Sequence, residues 1–212
     1  LSRRLGADWS TNNPDQLRFR YIGRSILLGR DDVVMDGRQL VDPRDQILLY
    51  NYVAFGGNAA GKANSKNGDA GERAGEGGLN RIWVGMESLP NAVAKIRTLA
   101  SYCEARLAER FAGRIEQLAL LCQKIGGEQG RGDQAESADF AALLPVLPSV
   151  PLYLLFWDQD TEEGFEARVK VLFDQYVMDF LDLESLVFAA ERMAERLLAL
   201  DEADEPAGES EG

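Results

Sequence analysis

Between Ala138 and Asp174 the chain places three strand-length apolar segments almost end to end: ADFAALLPVL, SVPLYLLFWD and EARVKVLFD. A parallel pair of strands needs a crossover of roughly a dozen residues or more, usually a helix. The links here are shorter than that, so consecutive segments can only fold back on one another. Pro145, Pro148 and Pro151 stand at ends and junctions, where a missing N–H is tolerated. Residues 16–36, QLRFRYIGRSILLGRDDVVMD, repeat the pattern with Leu17, Phe19 and Tyr21, then Ile26 and Leu28, around an IGRS turn. They predict two or three antiparallel strands.

Helical spacing fills the intervals. In VDPRDQILLYNYVAF, Asp42 can cap, Pro43 suits the first turn, and Ile47, Leu48, Asn51, Tyr52 and Phe55 recur at helical spacing, with Gly56 as the expected stop. RIWVGM reads as a strand, followed by a helix from about Ala92 carrying Ile96, Leu99, Cys103, Leu107 and Phe111 on one face. Gly113 breaks it. A second helix presents Ile115, Leu118, Cys122 and Ile125. Asp182 can cap a last helix whose Leu183, Leu186, Val187, Ala190, Met193, Leu197 and Leu198 form one stripe. The expectation is one α+β domain over residues 1–200, a mainly antiparallel sheet with a helical pair and a C-terminal helix packed on it. Residues 58–78 are expected to be a dispensable Gly-rich insertion, and 201–212 a disordered acidic tail.

The stretch GGNAAGK at 56–62 fits all but the last letter of the phosphate-cradling pattern G-x-x-x-x-G-K-[S/T]. That chemistry needs a hydroxyl for magnesium, a buried strand before the first Gly and a helix after the Lys. Ala63 occupies the hydroxyl position, a helix precedes, and a polar Gly-rich stretch follows. We read the match as fortuitous, and expect no nucleotide cofactor.

Histidine is absent, which removes Ser-His and Cys-His triads, His-ligated zinc and proximal-His haem from anything built within these residues. Cys103 and Cys122 are the only cysteines, too few for a four-thiolate iron–sulfur cluster, and both fall at buried-face positions. The formal charge is −12, and six acids without a base lie in the last twelve residues, leaving −6 on the rest. An acidic body disfavours nucleic acid and anionic membrane surfaces as partners. No apolar run approaches 18 residues, and LSRRLGADW has no apolar signal core, so a soluble, cytoplasmic protein is expected. GRGD at 130–133 reads as a turn.

At RIWVGMESLP, PSVPLYLLFWDQDTEE and VLFDQYVMDFLDLESL the chain resembles a family of uncharacterised proteins, domain of unknown function 3786. The resemblance runs through Trp83, Leu89 and Pro90, then Pro148, Val150, Pro151, Trp157, Asp160, Glu162 and Glu163, then Phe173, Asp174 and Glu184. It covers nearly the whole chain except about 58–78. It departs at Ser88, where Glu is expected, and at Asp179 and Phe180, where His-Tyr is often found. The resemblance implies a setting in anaerobic bacteria or archaea and a possible redox or iron–sulfur protein partner, because some members carry an iron–sulfur domain. It implies no established activity.

The best constellation for chemistry is acidic: Asp158, Asp160, Glu162 and Glu163 in one loop, Asp174 at the end of the next strand, and Asp179, Asp182 and Glu184 before the last helix. Hard cations prefer such oxygen ligands. The calcium-loop pattern fails, with Gly164 one residue late and Val169 at the twelfth position. Solvated turn acids and helix caps are therefore the expectation, with no metal expected and Asp158, Asp160 and Asp174 as the candidates if one binds. Trp83, Trp157, Asp160, Asp174 and Glu184 are the candidates for a pocket or partner surface. The functional expectation is a non-catalytic accessory protein, or one that binds a small ligand or a partner, of anaerobic metabolism, with ligand and partner unspecified. The alternatives are a metal-dependent enzyme using the acids around Asp160 and Asp174, or an interaction subunit of an iron–sulfur redox assembly.

Overall fold

The computed structural model describes residues 5–58 and 81–204. Residues 59–62 of the near-phosphate stretch, most of the expected insertion at 58–78, and residues 205–212 of the expected tail lie outside them.

Five short strands form an antiparallel meander, sheet A: β1 (Asp8–Trp9), β2 (Leu17–Tyr21), β3 (Arg24–Leu28), β4 (Val33–Met35) and β5 (Arg38–Gln39), in chain order. Two of its turns explain themselves. Ile22 and Gly23 join β2 to β3 with φ of 47° and 75°, and Asp36 and Gly37 join β4 to β5 with 49° and 79°. Positive φ at both central residues is the two-residue hairpin turn whose twist matches the flanking strands. A Cβ on Gly23 would lie 3.0 Å from the Ile125 backbone, so any other residue there is strained. Ile22, a β-branched residue in a disfavoured conformation, is buried, and its N–H donates to Val146 O at 3.0 Å.

Sheet B has the order β6 (Trp83–Gly85), β10 (Arg168–Asp174), β9 (Val150–Trp157), β8 (Phe140–Leu147) and β7 (Glu128–Gln129), again antiparallel throughout. The register between β8 and β9 slips between Leu144 and Leu147, at Pro145. Alternation divides its side chains: Leu152, Leu154, Phe156, Val169, Val171 and Phe173 enter the main core, while Tyr153, Leu155 and Leu172 form a small cluster on the other face.

Helix α1 (Pro43–Asn58) follows sheet A. α2 (Val93–Leu99) passes through a π turn (Ala100–Glu104) into α3 (Ala105–Phe111); α4 (Ile115–Lys124), the short α5 (Asp133–Glu136) and the long α6 (Leu183–Asp204) complete the set. The π turn carries Glu104 to a strand edge. β6 pairs only with Leu172–Asp174, and the next N–H, from Val171, donates to Glu104 Oε1 at 2.9 Å. Asp182 caps α6 as expected, its Oδ1 accepting the Ser185 N–H at 2.7 Å. The α6 stripe is buried, and Ala189, Ala190 and Ala194 let it approach its neighbours closely.

One apolar cluster contains residues of both sheets and of α1 to α4 and α6, so the antiparallel α+β architecture is shared between two sheets rather than one. Tyr52 of α1 ties them. Its hydroxyl donates to Leu5 O at 2.7 Å and accepts the Ser149 N–H at 3.1 Å, and its ring meets Phe19 at 5.8 Å.

Two expected boundaries move. Gly56 does not stop α1, which continues to Asn58; its missing side chain makes room for Leu5, whose Cδ2 lies 2.2 Å from where a Cβ would be. The tail does not start at residue 201. α6 runs to Asp204, and Asp201 is completely buried. Its carboxylate accepts Arg110 Nε at 2.6 Å, Arg114 Nη1 and Nη2 at 2.8 and 2.9 Å, and Gln117 Nε2 at 3.1 Å. Burial raises its pKa, and the hydrogen bonds from Arg114, Arg110 and Gln117 outweigh this and hold it below the usual carboxylate value.

Candidate functional site

Beside its apolar stripe, α6 carries a second one. Arg192, Glu195, Arg196 and Ala199 fall at i, i+3, i+4 and i+7, a single helix flank. That flank faces the β2–β3 hairpin of sheet A and the first turn of α1, and between them lies a cavity of about 220 Å³. Tyr21, Ile22 and Arg24 line it from the hairpin, Met35 from β4 and Asp45 from α1.

One wall is fixed. Asp45, 1% exposed, accepts the Tyr21 hydroxyl at 2.6 Å and both arms of Arg192, Nε at 2.7 Å and Nη2 at 2.6 Å. This is the planar two-bond fork that guanidinium and carboxylate make best. Arg192 also pairs with Glu195, and with Asp42 at 3.3 Å, while Arg44 joins Glu195 at 2.9 Å and Asp42 at 3.2 Å. Burial lowers the Arg192 pKa, and the hydrogen bonds and charge of Asp45 more than offset it, so the group is held above its ordinary value. Burial first, and then Asp45, push the Tyr21 phenol well above its ordinary value. It stays protonated and serves as the donor to Asp45.

One turn further along the same flank, Arg196 is not satisfied in this way. Arg196 makes no ion pair among the described residues, and its Nε is buried without a hydrogen-bond partner. Burial, and then the positive charge of Arg24, lower its pKa, with only Asp36 acting the other way. Arg24 itself is loosely held, 3.8 Å from Asp36 and 3.7 Å from the Met35 sulfur. A buried guanidinium N–H without a hydrogen-bond partner is a costly arrangement, and an anion entering the cavity would relieve it.

The residues singled out from the sequence lie elsewhere and form no single site. Trp83 and Asp174 are register partners across β6 and β10. Trp83 stacks on Tyr153 at 5.0 Å, while Asp174 pairs with Arg81 at 2.7 Å and accepts the Tyr176 N–H at 2.8 Å. Trp157 lies at the other end of β9, under the Arg168 guanidinium at 4.1 Å, with its indole N–H donating to Ser137 O. Asp158 Oδ1 accepts Gly113 N–H at 2.6 Å, and Asp160 Oδ1 accepts the N–H groups of Glu162 and Glu163 at 2.9 and 3.0 Å. The antiparallel register pairs Arg168 with Trp157 and Phe173 with Leu152. Asp174 is therefore separated from Asp158 and Asp160 by the length of β10, roughly 20 Å at the usual rise per residue. Glu184, on the first turn of α6, pairs with Lys95. Among the described residues no group of three or more acids and cysteines is placed to hold a metal ion. Cys103 and Cys122 are buried free thiols, and burial pushes Cys122 up to about 12.

The arginine pocket was missed because its parts are scattered. Only the helical spacing of Arg192 and Arg196 was visible as a signal, and alone it describes any solvated helix face.

Residues 70–196 match the family model for Domain of unknown function (DUF3786). The matched span holds all three segments that carried the resemblance, and Arg192, Glu195 and Arg196 of the pocket; it does not include Ala199 or the N-terminal third that supplies Tyr21, Arg24 and Asp45. No curated protein and no solved structure matches the chain. None of the described helices is long and apolar enough to cross a membrane.

Proposed function

The chain belongs to the DUF3786 family, and we propose that it is a binding protein for a small anionic ligand, held in the cavity between α6 and sheet A. The observation that carries this reading is Arg196, a guanidinium without an ion pair among the described residues, its Nε buried and unpartnered, on the wall of a cavity that Arg24 also lines. The Tyr21–Asp45–Arg192 group supports it by fixing the part of the lining beside Arg196. Arg192 has its donors engaged with Asp45, Glu195 and Asp42, so charge on an incoming group is met by Arg196 and Arg24.

The test is thermal unfolding and isothermal titration against a panel of small anions at constant ionic strength. A ligand at 100 times its dissociation constant adds about 2.7 kcal/mol to the folded state, or several degrees for a domain of this size. At least one anion should raise the melting temperature of the wild type and leave Arg196→Gln unmoved. A panel that shifts both proteins equally, or neither, would overturn the proposal.

A further inference from the structure

The same cavity constrains the chemical class of its occupant, and this inference rests on the anion-binding reading above. We infer that the ligand is a small monocarboxylate with a short hydrocarbon body. The first argument is charge. Asp45 and Glu195 line the cavity together with Arg192, which is engaged by both, and Asp36 lies within 3.8 Å of Arg24. Arg196 is then the one guanidinium of the lining without an ion pair among the described residues, in a set of acids and arginines whose charges otherwise balance closely. A monoanion can pair with that guanidinium, whereas the second charge of a phosphate dianion would face Asp45 and Glu195 with no further cation to meet it.

The second argument is the donor set. A carboxylate needs two parallel N–H donors, which one guanidinium supplies. A tetrahedral phosphate or sulfate needs donors from several directions, and the Tyr21 hydroxyl that could provide one is turned to Asp45 at 2.6 Å.

The third argument is size and lining. A volume of about 220 Å³ lies below the roughly 300–1,000 Å³ usual for the pockets of drug-sized ligands and suits a carboxylate with a few methylenes. Ile22, Met35 and Ala199 give that body apolar surface to lie on.

The experiment is isothermal titration of the protein with butanoate, hexanoate, inorganic phosphate, succinate and butanamide at pH 7 and fixed ionic strength. Butanoate or hexanoate should bind at least tenfold more tightly than phosphate, succinate or the neutral amide. Arg196→Gln should lose tenfold or more of that affinity, and Arg196→Lys, which keeps the charge but not the fork, an intermediate amount. Ala199→Phe, which fills the cavity from an exposed helix position, should abolish binding while leaving the helical circular dichroism intact; this covers the case of an Arg196 variant that folds poorly. Phosphate or succinate binding more tightly than either monocarboxylate, with the same dependence on Arg196, overturns the ligand class and leaves the anion pocket standing. If none of the anions binds, both readings fall.

Discussion

Replacing Asp201 with Asn tests whether the end of α6 is part of the fold. The carboxylate is fully buried and accepts four hydrogen bonds, three of them from Arg110 and Arg114. An amide keeps one acceptor oxygen but turns an NH2 toward guanidinium donors, so it loses the charge and sets donor against donor. Breaking a buried pair by removing one partner costs about 3–5 kcal/mol. The two arginine side chains are 32% and 36% exposed, and water can partly solvate them once released, so the lower end, about 3 kcal/mol, applies. That corresponds to a fall of roughly 6–12 °C in melting temperature at this chain length. The pH dependence gives a second check. The folded pKa lies below the unfolded value, near 3.9; the stabilisation is complete above that value and is lost as pH falls through the folded pKa. Urea unfolding of wild type and Asp201→Asn should therefore give a constant gap from pH 7 to pH 5 that closes only below about pH 4. A gap under about 1 kcal/mol at pH 7, the size of a surface pair, would refute the argument, as would one that narrows between pH 7 and pH 5.

Gly23→Ala should destabilise by about 1–3 kcal/mol, measured by urea midpoint, because a Cβ would press on the Ile125 backbone at a φ of 75°. Tyr52→Phe removes the donor to Leu5 O and the acceptor of the Ser149 N–H and should cost about 1–3 kcal/mol in the same assay. Cys103 and Cys122 should resist a thiol reagent at pH 8 in the native protein and react after unfolding, since burial raises both thiols; rapid labelling of either in the native state would contradict their placement. Calcium, magnesium and manganese should each shift the melting temperature by less than a degree, because Asp174 stands away from Asp158 and Asp160 and is paired with Arg81; a large shift abolished by Asp160→Asn or Asp174→Asn would reverse that reading.

What could be read from the sequence was what is encoded locally. Alternation in LRFRY, the strand at RVKVLFD, a turn beginning at Ile22 and the Asp182 cap are each specified by neighbours in the chain, and each occurs as expected, the turn being the two residues Ile22 and Gly23 rather than the four of IGRS. The pocket is specified by partners far apart. Asp45 and Arg192 are 147 positions apart, and nothing around either distinguishes a buried ion pair from a solvated helix charge. Asp201 was misread for the opposite reason. Its neighbours Glu202 and Asp204 share the composition of a solvated tail, yet helical geometry turns Asp201 alone inward, onto Arg110 and Arg114. The acids at Asp158, Asp160 and Asp174 looked like one cluster because consecutive strands are close in sequence; the antiparallel register sends the third to the far end of the sheet.

Helix α6 meets α1, α2, α3, α4 and the π turn between α2 and α3, and it is the last described element to leave the ribosome. A chain synthesised only as far as Asp182 holds both sheets and every other described helix, but the faces that close on Leu186, Ala190, Met193 and Leu197 are open to water. Such a nascent chain has no finished core on which to settle and depends on chaperones until the final turns emerge. Translation that stalls within β10 or the segment after it would therefore yield material for degradation rather than a partly working protein.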